Sequence, residues 1–69
     1  MNLKECIVYY PDGVEDLFST SFEDIDSITM GNNGIYVNNV DSKRNLFIPY
    51  ANIRKVRYTS KNTQNVVEP

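Results

Sequence analysis

The chain contains no histidine and a single cysteine, Cys6. The first absence removes the commonest acid–base group at neutral pH. The second rules out a disulfide within the chain, and one thiol with scattered carboxylates is a poor zinc set. No apolar run approaches the ~20 residues of a membrane span. Met1-Asn2-Leu3-Lys4-Glu5 opens straight into a strand pattern, with neither the apolar segment nor the cleavage site of a signal peptide. These gaps argue against an enzyme, a cofactor or metal protein and a membrane protein, and the expectation is a cytoplasmic protein. Cys6, followed by Ile7 and Val8, reads as a buried small hydrophobe and not as a reactive thiol. Its solitude fits a reducing compartment.

What is present is short. The 69 residues make one domain. A chain of this size buries only about 60% of the surface its unfolded form exposes. Its stability falls in the range of about 3–10 kcal/mol. With disulfide and metal set aside, oligomerisation is the stabilising device left open to so small a domain. Asparagine, isoleucine, tyrosine and lysine are common, a bias of AT-rich coding found in bacteria and their phages.

The patterning is that of strands. Leu3 to Tyr10 places Cys6, Val8 and Tyr10 on one face and Ile7 and Tyr9 on the other, as in a central or interface-forming strand. Tyr10-Pro11-Asp12-Gly13 is a turn in which proline presets φ and glycine supplies a positive φ. Val14 to Ser19 is the return strand. Ser19 to Asp26 has hydroxyl-to-acid spacings of a helix start, so one short helical turn is preferred there, with a continuing strand as the rival. Ile25 to Met30 is the third strand. Gly31-Asn32-Asn33-Gly34 reads as a hairpin loop of residues that accept left-handed geometry. A fourth strand runs from Ile35 to about Val40, Asp41 to Arg44 is a turn, and Asn45 to Ile48 is a fifth strand. Pro49 must end that strand or lie on an edge, because it has no N–H to donate. Tyr50 to Ile53 fits a single 3₁₀ turn, and Arg54 to Thr59 is the sixth strand. Residues 60–69 read as a polar, frayed tail after one domain of residues 1–59. Six short strands joined by tight turns imply an all-β small barrel or sandwich, and closure into a barrel would also remove exposed edges.

Leu46-Phe47-Ile48-Pro49-Tyr50-Ala51-Asn52-Ile53-Arg54-Lys55-Val56 resembles the strand, 3₁₀ turn and strand that close SH3-like small barrels. Sm-like proteins, PRC-barrel domains and short bacterial pleckstrin-like domains end in a similar phrase. The resemblance implies an SH3-like barrel of five or six short strands and carries no binding residue over. The Sm-like signature is incomplete: Asn38-Asn39 and Lys43-Arg44 only echo it, no glycine follows the basic pair, and the family's N-terminal helix is missing.

Charge is divided along the chain. Residues 1–30 carry seven acids against Lys4, a net −6, and residues 31–69 carry six bases against Asp41 and Glu68, a net +4. Two candidate surfaces follow. The acidic one comprises Glu15, Asp16, Glu23, Asp24 and Asp26; the basic one comprises Lys43, Arg44, Arg54, Lys55 and Arg57, with Tyr58 as a ring. Such asymmetry points to a partner. The competing and slightly favoured expectation is that the halves interleave in the barrel and the charges pair across strands for little gain.

Paired acids such as Asp24 and Asp26 serve glycosidases and metal sites, but so small a domain leaves little room for a substrate cleft. A solvated acidic face is the better reading. Gly31 and Gly34 lack the lysine and helix start of a phosphate loop. The expectation is therefore a non-catalytic module for protein–protein contact, with other copies of itself as partners and a regulatory or inhibitory role in a phage or bacterium in view. The alternative is single-stranded nucleic acid held by the basic half, against which stands a pI near 4.8.

Overall fold

A computed structural model describes residues 1–61. Six antiparallel strands are present: β1 (Asn2–Tyr9), β2 (Glu15–Ser19), β3 (Ile25–Met30), β4 (Gly34–Asn39), β5 (Leu46–Pro49) and β6 (Lys55–Ser60). They form one curled sheet, a half-barrel, with 3₁₀ turns at Ser42–Arg44 and Tyr50–Asn52. The all-β small-barrel expectation holds, although the sheet curls without closing.

β1 is the strand on which the others depend. β6 follows it along one side, from Leu3↔Ser60 to Tyr9↔Lys55. On the other side β2 pairs from Glu5↔Ser19 to Tyr9↔Glu15, and β3 takes over at Leu3↔Ile28 and Asn2↔Thr29. β4 then pairs with β3, and β5 with β4. The handover from β2 to β3 happens at Lys4. Its carbonyl accepts both the N–H and the hydroxyl of Thr20, each at 3.0 Å. The register with β6 slips by one residue between Leu3 and Glu5, so Lys4 is the extra residue of a β-bulge. This bulge explains why Leu3 and Cys6, three apart, are both buried where strict alternation would put them on opposite faces.

The core consists of Leu3, Cys6, Val8, Ile25, Ile28, Ile35, Val37 and Ile48, with Tyr10, Phe18, Met30, Ile53 and Val56 packed around it. Burying one such aliphatic side chain fully contributes about 1.5–3 kcal/mol. Ser19 is buried as well, and its hydroxyl is satisfied by the backbone N–H and hydroxyl of Ser21.

The first turn forms as read. Gly13 has φ of 91° and donates to the Tyr10 carbonyl at 3.0 Å, while the Asp12 side chain accepts from the Val14 N–H. The stretch from Ser19 to Asp26 is neither a helical turn nor a continuing strand. Two successive turns form instead, with Phe22 N–H bonded to Ser19 and Ile25 N–H to Phe22, while Thr20 is held to Lys4. The Gly31–Gly34 loop also departs from expectation. Gly13 is the sole positive-φ residue described, so this hairpin uses no left-handed residue. Gly34 is needed for space: a Cβ there would lie 2.8 Å from a ring carbon of Phe47 and 2.9 Å from Cα of Pro49, and closer still to the Ile48 carbonyl. The turn after β4 is a 3₁₀ turn capped by Asp41, whose side chain accepts from Lys43 N–H at 3.1 Å. Pro49 ends β5, and the second 3₁₀ turn delivers Arg54, whose N–H donates to Tyr9 at 2.7 Å and starts β6. Ser60 closes β6 and Lys61 donates to Asn2; the rest of the tail read from the sequence lies outside the described residues.

Cys6 is 1% exposed, and burial pushes its thiol up from 9.0 to about 11. A raised value favours the protonated form in the folded state, so this contribution to stability is complete below pH 9.0 and is lost as pH rises through about 11. Thermal melts of wild type should therefore lose midpoint more steeply across that interval than melts of Cys6→Ala; parallel slopes would remove the thiol from the account. Gly34→Ala should cost about 1–3 kcal/mol by overpacking β4 against β5, read as a lower urea midpoint. Wild-type stability in that variant would show that β5 is not held as described.

Candidate functional site

The basic residues occupy two separate places. Lys43 and Arg44 lie on the 3₁₀ turn between β4 and β5, whereas Lys55, Arg57 and Tyr58 lie on β6, with Arg54 just before it. Strand alternation divides the second group again. Lys55 is opposite Tyr9 and Arg57 opposite Ile7, while Tyr58 is opposite the buried Cys6 and so faces the other way. The ammonium of Lys55 sits over the Tyr9 ring, 4.8 Å from its centre, a cation–π contact.

The acidic residues are dispersed too. Glu15 and Asp16 are on β2, Glu23 and Asp24 in the double turn, and Asp26 on β3 where its register with β4 slips. Glu15, Tyr9 and Lys55 form one row across β2, β1 and β6, so the two halves of the sequence interleave on this face. Pairing across strands does not follow. Among the described residues the one ion pair is local, Arg44 Nε to Asp41 Oδ2 at 3.7 Å, and both side chains are exposed, so it adds little. Asp16 accepts a hydrogen bond from the Tyr10 hydroxyl at 2.9 Å. Burial first, then this bond and the carboxylate charge, push the Tyr10 phenol up to about 12.

A groove brings residues of both charge sets together. The turn residues Glu23 and Asp24 approach Arg44, Asp41, Asn39 and Val40 around a space of about 430 Å³. Next to it, sharing Asp24, Asn39 and Arg44, is a second space of about 320 Å³ lined by Leu17, Phe18, Phe22, Ile25, Val37 and Leu46. The half-barrel is open here, between β2 and β5, the two ends of the main strand path. Phe22 and Leu46 at this opening are 40% and 44% exposed, and Leu17, on the outer face of β2 opposite Ile7, is 54% exposed at its rim. Leu46 is opposite the buried Val37 and should be core by pattern; it is exposed because, among the described residues, no strand covers β5 on that side. The apolar half of this site was missed in the sequence. Phe22, the one apolar residue in Thr20–Asp24, was its available signal.

A second exposed patch lies on the outer face of β4 and β5. The rings of Tyr36 and Phe47 are 4.7 Å apart and tilted by 39°, a geometry that aromatic pairs favour. The Tyr50 hydroxyl donates to the Gly31 carbonyl beside them.

No protein-family model, curated protein or solved structure matches the chain.

The chemistry of the groove must therefore be taken from its own side chains. They offer an apolar floor, two carboxylates without an ionic partner among the described residues, and one arginine shared with Asp41. No group of three His, Cys, Asp or Glu among the described residues is placed to hold a metal ion. Among the same residues no helix is long and apolar enough to cross a membrane.

Tyr10 gives a direct test of the β1–β2 geometry. In an ultraviolet titration one tyrosine, absent from Tyr10→Phe, should ionise near pH 12. Asp16→Asn should move it down only partway, since burial is the larger cause. If Tyr10 titrates with the exposed tyrosines, the Asp16 contact is not formed in solution.

Proposed function

We propose that this domain is a non-catalytic binding module of the cytoplasm that acts through protein–protein contacts, with the groove between β2 and β5 as its contact site. The observation that carries this reading is the exposure of Leu17, Phe22 and Leu46 around one opening. Apolar side chains gathered at a concave site and rimmed by charge mark a protein contact more than a solvated surface. The groove is shallow and open, which suits a segment of another chain better than a small enclosed substrate. Self-association fits a domain whose own core is small, and a net charge of −2 opposes it only weakly. A regulatory or inhibitory role for a phage or bacterial protein would use the same groove on a foreign partner.

Single-stranded nucleic acid is the second reading, resting on Arg54, Lys55 and Arg57 at one edge of the sheet. It is the weaker one. A sequence pI near 4.8 lacks the basic footprint that normally dominates such a domain.

Site-specific photo-crosslinking in cells decides between them. A photoreactive residue at Phe22 or Leu46 should give discrete protein adducts that the same residue at Thr29, on the outer face, does not. No protein adduct above the Thr29 control would end the reading. In parallel, titration with single-stranded RNA and DNA at about 50 mM salt should show no binding; saturable binding with a steep salt slope would favour the nucleic-acid alternative.

A further inference from the structure

We infer that the occupant of the groove is β6 of a second copy of this chain, so that copies join head to tail. This rests on the groove being the protein-contact site and names what fills it. Two surfaces carry the inference. The first is the groove, where Glu23 and Asp24 stand at the end of an apolar floor and have no ion-pair partner among the described residues. The second is β6 with the residue that leads into it. From Pro49 to Lys61 the chain has no acidic residue. Within it Arg54 and Arg57 are exposed and likewise without an ion-pair partner among the described residues.

The surfaces match in more than sign. Among the described residues β6 pairs with β1 alone and is an edge of the sheet, so it can present the side chains of both faces to a neighbour. Tyr58 is 49% exposed on one face and Arg57 is exposed on the other. Laid into a groove, such a strand sets an aromatic ring against Phe18, Phe22 and Leu46 while its arginine reaches the carboxylate rim. Tyrosine and arginine are the side chains that most often anchor protein contacts.

One protomer cannot make this contact with itself. β2 and the turn bearing Glu23 and Asp24 lie on one side of β1, and β6 lies on the other. Groove and strand are different patches, so each copy has one of each to offer. The contact is heterologous, and repetition closes a ring or extends a filament. The division of charge along the sequence then has a use even though the halves interleave within one barrel: the complement of the acidic rim is on the next molecule.

The test is a charge exchange read by sedimentation velocity, with circular dichroism confirming that each variant folds; all four positions are exposed. Wild type should associate at protein concentrations up to about 0.5 mM at low salt and dissociate as ionic strength rises. Reversing the rim alone (Glu23→Lys with Asp24→Lys) should weaken association at least about 10-fold, as should reversing the strand alone (Arg54→Glu with Arg57→Glu). The chain carrying all four substitutions should associate again, which a merely structural effect would not produce. A strictly monomeric wild type overturns the inference while leaving groove adducts with another protein to support the contact reading. Association that ignores either single-side reversal, or that all four substitutions fail to restore, also overturns it.

Discussion

β1 gives up both of its edges, and the rest of the barrel is arranged around that commitment. One side belongs to β6 and the other is shared between β2 and β3, with the change made at the Lys4 carbonyl. Hydrogen bonding alone would permit a flat ribbon of this connectivity. The bulge bends β1 at the point of exchange and turns Leu3 inward beside Cys6 and Val8, and bulges increase local twist in this way. Curvature and core thus draw on this local irregularity, together with the second register slip between Ile25 and Ser27 on β3. The groove exists because the sheet curls far enough to bring the two ends near each other and not far enough to join them.

Much of this was legible because it is local. The alternation of Cys6, Val8 and Tyr10, the Pro11–Gly13 turn, the helical turn after Pro49 and the six strands each rest on a few neighbouring residues whose stereochemistry admits few answers. What escaped depended on residues far apart in the chain. Where the chain leaves β2 for the double turn is marked by Lys4, whose carbonyl captures Thr20. Gly34 looks like a turn residue and is in fact a space filler of zero size, required by Phe47 and Pro49 on another strand. The bulge leaves no mark in composition.

The candidate site divides along the same line. Charges could be counted from the sequence, but their grouping could not. The acids scatter over β2, the double turn and β3, and the bases over two edges of the sheet. At the groove, Glu23, Asp24 and Arg44 are brought together from the two sets. The apolar floor between them was invisible because Leu46, Val37 and Phe18 all carry the period of core residues. An open barrel exposes some of its core by geometry, and no pattern rule reports which part.

Lys4 shows a different kind of constraint from that on Gly34. Its side chain is exposed and makes no contact on which the fold depends, so its chemical identity is nearly free. Its existence is not. Removing the residue would restore regular alternation to β1, straighten it and withdraw the carbonyl that holds Thr20, leaving β2 and β3 with no point at which to exchange places. The position tolerates rewriting but not deletion: what is specified there is the length of the chain, counted to a single residue.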